Sequence, residues 1–178
     1  PVYAMPRMRD FLLNNAPWSQ LSEYENIKLS LLNADSEVVL GSVSITPFLV
    51  PHRDEFSETV GYKIKGPNHT ALFIPDINKW ELWERDIVTE IRNVDYAFID
   101  ATFFSPGELP GRDMSKVPHP LVTESMEKFQ SLEPIEKQKI FFIHMNHTNP
   151  MLDAESKASD IVQNEGFNIA EEGMQFEL

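Results

Sequence analysis

The chain has 178 residues, 42% hydrophobic and 24% charged, proportions that fit one globular domain with a real core. Its net charge of −13, from 28 acidic and 15 basic residues, works against a polyanionic partner, so nucleic acid is disfavoured and small molecules stay open. The absence of cysteine excludes disulfides and thiolate metal sites, and no apolar run reaches the length of a membrane span.

Strand and helix signals alternate along the chain. The opening Pro-Val-Tyr-Ala-Met reads as a strand whose abrupt start, with no signal peptide, predicts the C-terminal part of a longer, cytoplasmic protein. Pro6 then opens a short helix with Met8, Phe11 and Leu12 turned inward, ending near Asn14 and Asn15. Ile27, Leu29 and Leu31 alternate with polar residues as a half-buried strand, and residues 38–50 read as one or two strands interrupted at Gly41 and Pro47. Val60, Tyr62 and Ile64 form the next strand, and Gly66-Pro67-Asn68 turns into a covered strand over 71–74.

Asn78 and Glu81 have capping-box spacing, and Trp80, Trp83, Ile87 and Ile91 follow at helical spacing. A covered strand over 96–99 ends in Asp100. Residues 102–118, with Pro106, Pro110 and Pro118, are too long for a plain connection and read as a functional loop. A helix over 121–132 shows Val122, Met126 and Phe129 on one face, and Ile140 to Ile143 is a short buried strand. A helix over 156–164 follows, and then a closing hairpin of 167–170 with 174–178 around Glu171, Glu172 and Gly173. This alternation argues for a layered α/β domain.

Five polar groups share one placement, just past an apolar strand: His52, Asp76, Asp100, His144 and Glu171. Strand ends converging on one edge are how layered α/β proteins assemble sites, and histidine with carboxylate is the ligand set for zinc, iron or manganese. His144 and His147 lie three apart, a spacing that converges on a helix but points to opposite faces of a strand. His69 sits in a turn and reads as solvated, whereas His119 is fixed between Pro118 and Pro120 at the mouth of a helix.

The runs VPHRDEFSETVGYKI (50–64), LFIPDI, FIDATFF, IHMNHTNPMLD (143–153) and GFNIAEEGMQFEL (166–178) together resemble the metallo-β-lactamase superfamily. Within it they are similar to the C-terminal part of the branch tied to pyrroloquinoline quinone biosynthesis, with ribonuclease Z-like and phosphodiesterase relatives. The resemblance implies an αββα sandwich with a metal site at one edge, and it implies that the superfamily's HxHxDH motif lies upstream of this chain. It also implies His52 and Asp76 as metal ligands, with Glu171 standing where dinuclear relatives carry a final histidine. His144 takes the position of a histidine that acts on the leaving group, and Asn146 and His147 fall in the proline-ended run beside it.

The function expected from these residues is a metal-dependent hydrolase of a small ester or phosphodiester, with zinc as the ion and manganese or iron as alternatives. His144 is the expected catalytic acid, and His119, Asp100, Asn146 and His147 the expected substrate-binding residues. The alternatives are a metal-binding oxidoreductase or carrier in quinone cofactor biosynthesis, and a metal-free binding domain with a degenerate site. The expected partner is a small-molecule substrate, with no nucleic acid and no membrane; a homodimer stays open.

Overall fold

A computed structural model describes all 178 residues, Pro1–Leu178. The main sheet has seven strands in the order β3 (Val38–Leu40), β4 (Val43–Leu49), β5 (Val60–Lys65), β6 (Thr70–Ile74), β7 (Tyr96–Asp100), β8 (Ile140–Ile143) and β9 (Asn168–Ile169). The pairs from β3 to β6 are antiparallel and those from β6 to β9 parallel. A separate parallel pair joins β1 (Val2–Ala4) and β2 (Leu29–Leu31). Helices α1 (Pro6–Asn14), α2 (Trp18–Glu23), α3 (Ile87–Arg92), α4 (Val122–Lys128), α5 (Pro134–Lys137) and α6 (Lys157–Asn164) connect them.

Residues alternate across the sheet, so one face carries Phe48, Leu72, Ile74, Ala97, Ile99, Ile140 and Phe142, all buried in one core. Ile87 and Ile91 of α3, Val122 of α4, and Ala158 and Val162 of α6 close that core from outside. On the other face Tyr3 and Leu32 meet Val38, Leu40, Ile45 and Tyr62 around a cavity of about 120 Å³, which places the small sheet against the large one. The mixed layers therefore match the expected fold. No helix is long and apolar enough to cross a membrane.

Several elements depart from the sequence reading. The inward face expected of α1 is not buried: Met8 and Phe11 are exposed, and α1 packs on α2, a helix the pattern did not announce. Gly41 interrupts the 38–50 region as expected, turning at φ +66°. Pro47 does not. It pairs with Tyr62 inside β4, and its carbonyl accepts from Asp35 N at 2.8 Å on the side where β3 has already ended, so no ladder donor is lost.

The helix expected from Asn78 splits into a 3₁₀ turn, Trp80–Leu82, and α3, whose cap is Asp86, accepting from Thr89 N at 3.1 Å. Both tryptophans still reach the core. The 121–132 helix likewise ends early, at Lys128, in a 3₁₀ turn, Phe129–Ser131. His69 is half-buried rather than solvated, its ring centroid 5.6 Å from that of Tyr96.

The closing hairpin is absent. Residues 174–178 form no strand, and Phe176 instead packs its ring at right angles against those of Phe98 and Phe141, centroids 4.9 Å apart in each pair. The C-terminus then crosses Gly66, where a Cβ would meet the Leu178 backbone at 2.3 Å. An aromatic anchor has replaced the strand pairing.

Candidate metal centre

Because β4 and β6 are both antiparallel to β5, β4 runs in the same direction as β6 to β9. The residues after β4, β6, β7 and β8 therefore emerge at one edge, which is where the sequence placed its polar groups.

After β4 the chain turns at His52, and after β6 at Asp76. The two turns are tied by Asn78 N donating to Pro51 O at 2.6 Å. His52 Nδ1 lies 3.1 Å from Asn78 Oδ1, and an amide oxygen only accepts, so Nδ1 carries the proton. The lone pair on His52 Nε2 then faces Asp76 Oδ2 at 3.1 Å. Two lone pairs at that distance repel unless a proton or a cation lies between them. The second Asp76 oxygen, Oδ1, is buried without a hydrogen-bond donor, a position that needs a partner. Neutral imidazole and carboxylate are the donors a zinc-, iron- or manganese-type ion takes, so this pair fits a metal. His119 completes a cluster of ligand atoms with them.

Asp100, on the neighbouring strand, is the opposite case. Its side chain is fully buried, yet Oδ1 accepts from Thr102 N and Thr102 Oγ1, both at 2.7 Å. Oδ2 accepts from Ile77 N at 3.1 Å and from His119 Nδ1 at 2.9 Å. Four donors use up the carboxylate's acceptor sites. Asp100 also belongs to a second cluster, with Asp76 and His144, but its capacity is already spent on holding this edge together.

His119 therefore points its Nδ1–H at Asp100, with Asp76 Oδ1 3.3 Å from the same nitrogen and the His52 ring centroid 5.2 Å away. Burial pulls the His119 imidazole toward its neutral form. The Asp100 hydrogen bond and the charges of Asp100 and Asp76 outweigh that and hold its pKa above the ordinary value. Residues 102–118, the expected functional loop, bring His119 into place around a small apolar cluster of Phe103, Met114, Val117 and Leu121.

His144 has φ +61° and sits at the end of β8 with Nδ1 3.2 Å from Thr102 Oγ1. Asn146 donates through Nδ2 to Thr148 Oγ1 at 2.7 Å, and Thr148 donates to Glu108 Oε1 at 2.5 Å, so that turn anchors the loop. His147 is exposed and belongs to neither ligand cluster. Glu171 is exposed in a cleft with Gln138, Gln163 and Met174. It follows β9, three strand steps from β6, or roughly 14 Å at about 4.8 Å per step, so the structure does not bring it to Asp76. Asn78 and Thr102 escaped the sequence reading, the first because its spacing mimicked a helix cap. Their i, i+2 offset from Asp76 and Asp100 was the available signal, since such residues share a side in extended chain.

This edge gathers histidine and carboxylate at the ends of co-directional strands, the arrangement expected of a metallo-β-lactamase-type fold. The family model of the Beta-lactamase superfamily domain matches residues 1–145, and the chain belongs to that family. The chain resembles coenzyme PQQ synthesis protein B. It is 27% identical to that protein from Gluconobacter oxydans (strain 621H) over 163 residues, 84% of this chain and 52% of the relative. With the protein from Xanthomonas campestris pv. campestris (strain B100) it shares 22% over 197 residues, covering 99% of this chain and 64% of the relative. The chain thus spans between about half and two thirds of these relatives' length.

Among solved structures, Zn²⁺-bound PqqB from Methylobacterium extorquens superposes with a TM-score of 0.80 at 20% identity, over 99% of this chain and 64% of the other. A diphosphatase of the PhnP family gives 0.57 at 16% identity, over 98% and 56%. These two likenesses establish the fold.

Proposed function

We propose that this chain forms one side of a metal centre that turns over a small ester or phosphodiester-type substrate. The observation that carries the reading is the His52 Nε2 to Asp76 Oδ2 contact, two lone pairs 3.1 Å apart beside an undonated buried oxygen. His52 and Asp76 would hold the ion, which supplies a bound water of near-neutral pKa. Asn78 fixes the His52 tautomer that leaves Nε2 free.

His119 is the group best placed to move a proton to a leaving oxygen. Asp100 holds its Nδ1–H, leaving Nε2 to protonate and release, and the hydrogen bond to Asp100 favours the protonated form over the neutral one that burial prefers. His144 borders the same site through Thr102. The acidic chain suits a small substrate better than a long polyanion.

The test is metal analysis and turnover of the full-length protein on generic ester and phosphodiester substrates. Wild type is expected to carry metal and turn over. Asp76→Ala is expected to lose both, and His119→Gln to keep metal and lose turnover. A folded, metal-loaded wild type inert on every such substrate sinks the hydrolase reading, and a metal-free native protein points to a binding domain.

The similarity to coenzyme PQQ synthesis protein B supports a second reading, a metal-binding oxidoreductase or carrier acting on a quinone-type precursor. Native protein holding a redox metal, with oxygen-dependent activity and no phosphodiesterase activity, would favour it.

A further inference from the structure

The contact of Thr102 with His144 has a direction that neither reading uses. Its hydroxyl has one proton, and Asp100 Oδ1, an ionised acceptor at 2.7 Å, takes it. Toward His144 Nδ1, at 3.2 Å, the same oxygen can only accept. The hydrogen between them must therefore sit on His144 Nδ1. We infer that Thr102 is a positioning residue that locks neutral His144 in the Nδ1–H tautomer, leaving Nε2 as a free lone pair, and joins both histidines to one buried carboxylate in the chain His144–Thr102–Asp100–His119.

The backbone around this contact is held on both sides. Ala101 N donates to Ile143 O at 2.8 Å and Asn146 N donates to Thr102 O at 3.0 Å, so the residues flanking His144 are bonded to Thr102 and its neighbour. Asn149 Nδ2 adds a bond to Ala101 O at 2.7 Å from a buried side chain. His144 sits in the left-handed region, which is strained for a non-glycine residue and persists only where the surroundings over-determine it. Here they do, and what the strained turn fixes is the approach of the imidazole to the hydroxyl.

The tautomer matters because the two ring nitrogens have different roles. With Nδ1 protonated, Nε2 is the atom presented to a substrate or a proton. The functional value of the lock rests on the metal-centre reading above, but the lock itself does not.

The experiment is long-range ¹H–¹⁵N correlation of the imidazoles in full-length protein without added metal. It is run at about pH 8, above the ordinary histidine pKa of about 6.5, with His144 assigned by loss of its signals in His144→Gln. Wild-type His144 is expected to show the Nδ1–H pattern. Thr102→Val, which removes the hydroxyl and keeps the shape, should move His144 to the Nε2–H form that free histidine prefers, and Thr102→Ser should restore the wild-type pattern. The His52 pattern, set by Asn78, should stay constant in all three. An Nε2–H pattern in wild type overturns the inference even if the valine variant fails to fold, and so does an unchanged pattern in a folded Thr102→Val. A tautomer switch in a protein that turns over nothing upholds the lock and removes only the proposed reaction.

Discussion

Asp76 and Asp100 leave neighbouring parallel strands at the same edge, and the protein treats them in opposite ways. Asp100 is fully buried and accepts from two backbone amides, a hydroxyl and an imidazole. Asp76 is partly exposed, faces the Nε2 of His52 and keeps one buried oxygen without a donor. A carboxylate with all its acceptors filled has nothing left to offer a ligand, whereas one left short has room for it. Residue type and sheet edge are the same; the difference lies in what the following turn folds back to give. After β7 the chain returns Thr102 and His119 to the carboxylate. After β6 it sends Asn78 to His52 instead.

The hardest test of this contrast exchanges each carboxylate for its amide. Asp100→Asn puts an NH₂ where two of the four donors already point. Metal-free protein should lose roughly 3 kcal/mol, in the range for breaking a buried, fully paired charge, measured as a shift in denaturant midpoint. Asp76→Asn should leave metal-free stability within about 1 kcal/mol of wild type, because no hydrogen bond is broken. Comparable losses in the two variants would end the distinction between scaffold and ligand.

Metal removal sharpens the same point. With metal at about a hundred times its dissociation constant, binding should add about 2.7 kcal/mol to wild-type stability. A chelator should abolish that increment in wild type and do nothing to Asp76→Asn. A smaller effect belongs to Asn78→Ala, which frees His52 to change tautomer without removing a ligand. Metal affinity should fall about 10- to 100-fold, the usual cost of losing the partner that orients a ligating histidine, while the denaturant midpoint of metal-free protein moves little. Competition with a fluorescent chelator would read it.

Much of this edge was legible in the sequence because it follows from a two-residue period and a short apolar run. The strands at 70–74, 96–100 and 140–143 carry that pattern, and Asp76, Asp100 and His144 stand at or within two residues of their ends. What the pattern omits is where the turns lead afterwards. Asn78 has the spacing of a helix cap and turns instead to His52; Thr102 begins a long loop and turns back onto Asp100. Pro47 looks like a break until the end of β3 is known, and 174–178 looks like a strand until Phe176 finds the rings of Tyr96, Phe98 and Phe141. Those outcomes depend on partners distant in sequence, which local periodicity does not encode. His119 shows the same limit: its flanking prolines mark it as fixed, and only the fold shows that it is fixed to Asp100.

Asp86 is a third carboxylate, hydrogen-bonded like Asp100 but exposed, and it separates the effect of hydrogen bonding from that of burial. It caps α3 by accepting from Thr89 N at 3.1 Å and Thr89 Oγ1 at 2.6 Å. The Thr89 side-chain bond, with help from backbone amides, holds its pKa below the ordinary 3.8. A depressed folded-state pKa means that the cap's contribution is complete above the unfolded value and is lost as pH falls through the folded one. Asp86→Ala should therefore cost about 1 kcal/mol near neutrality, as N-cap removal does. The gap to wild type should close as pH falls through that folded-state value, below the ordinary 3.8, where both proteins lack the charged cap. The measurement is a denaturant titration of metal-free protein at pH 7 and at successively lower pH. A gap that persists in acid would mean that the neutral side chain caps as well as the ion. Filled acceptors alone would then explain what Asp100 does, with no need for its buried charge.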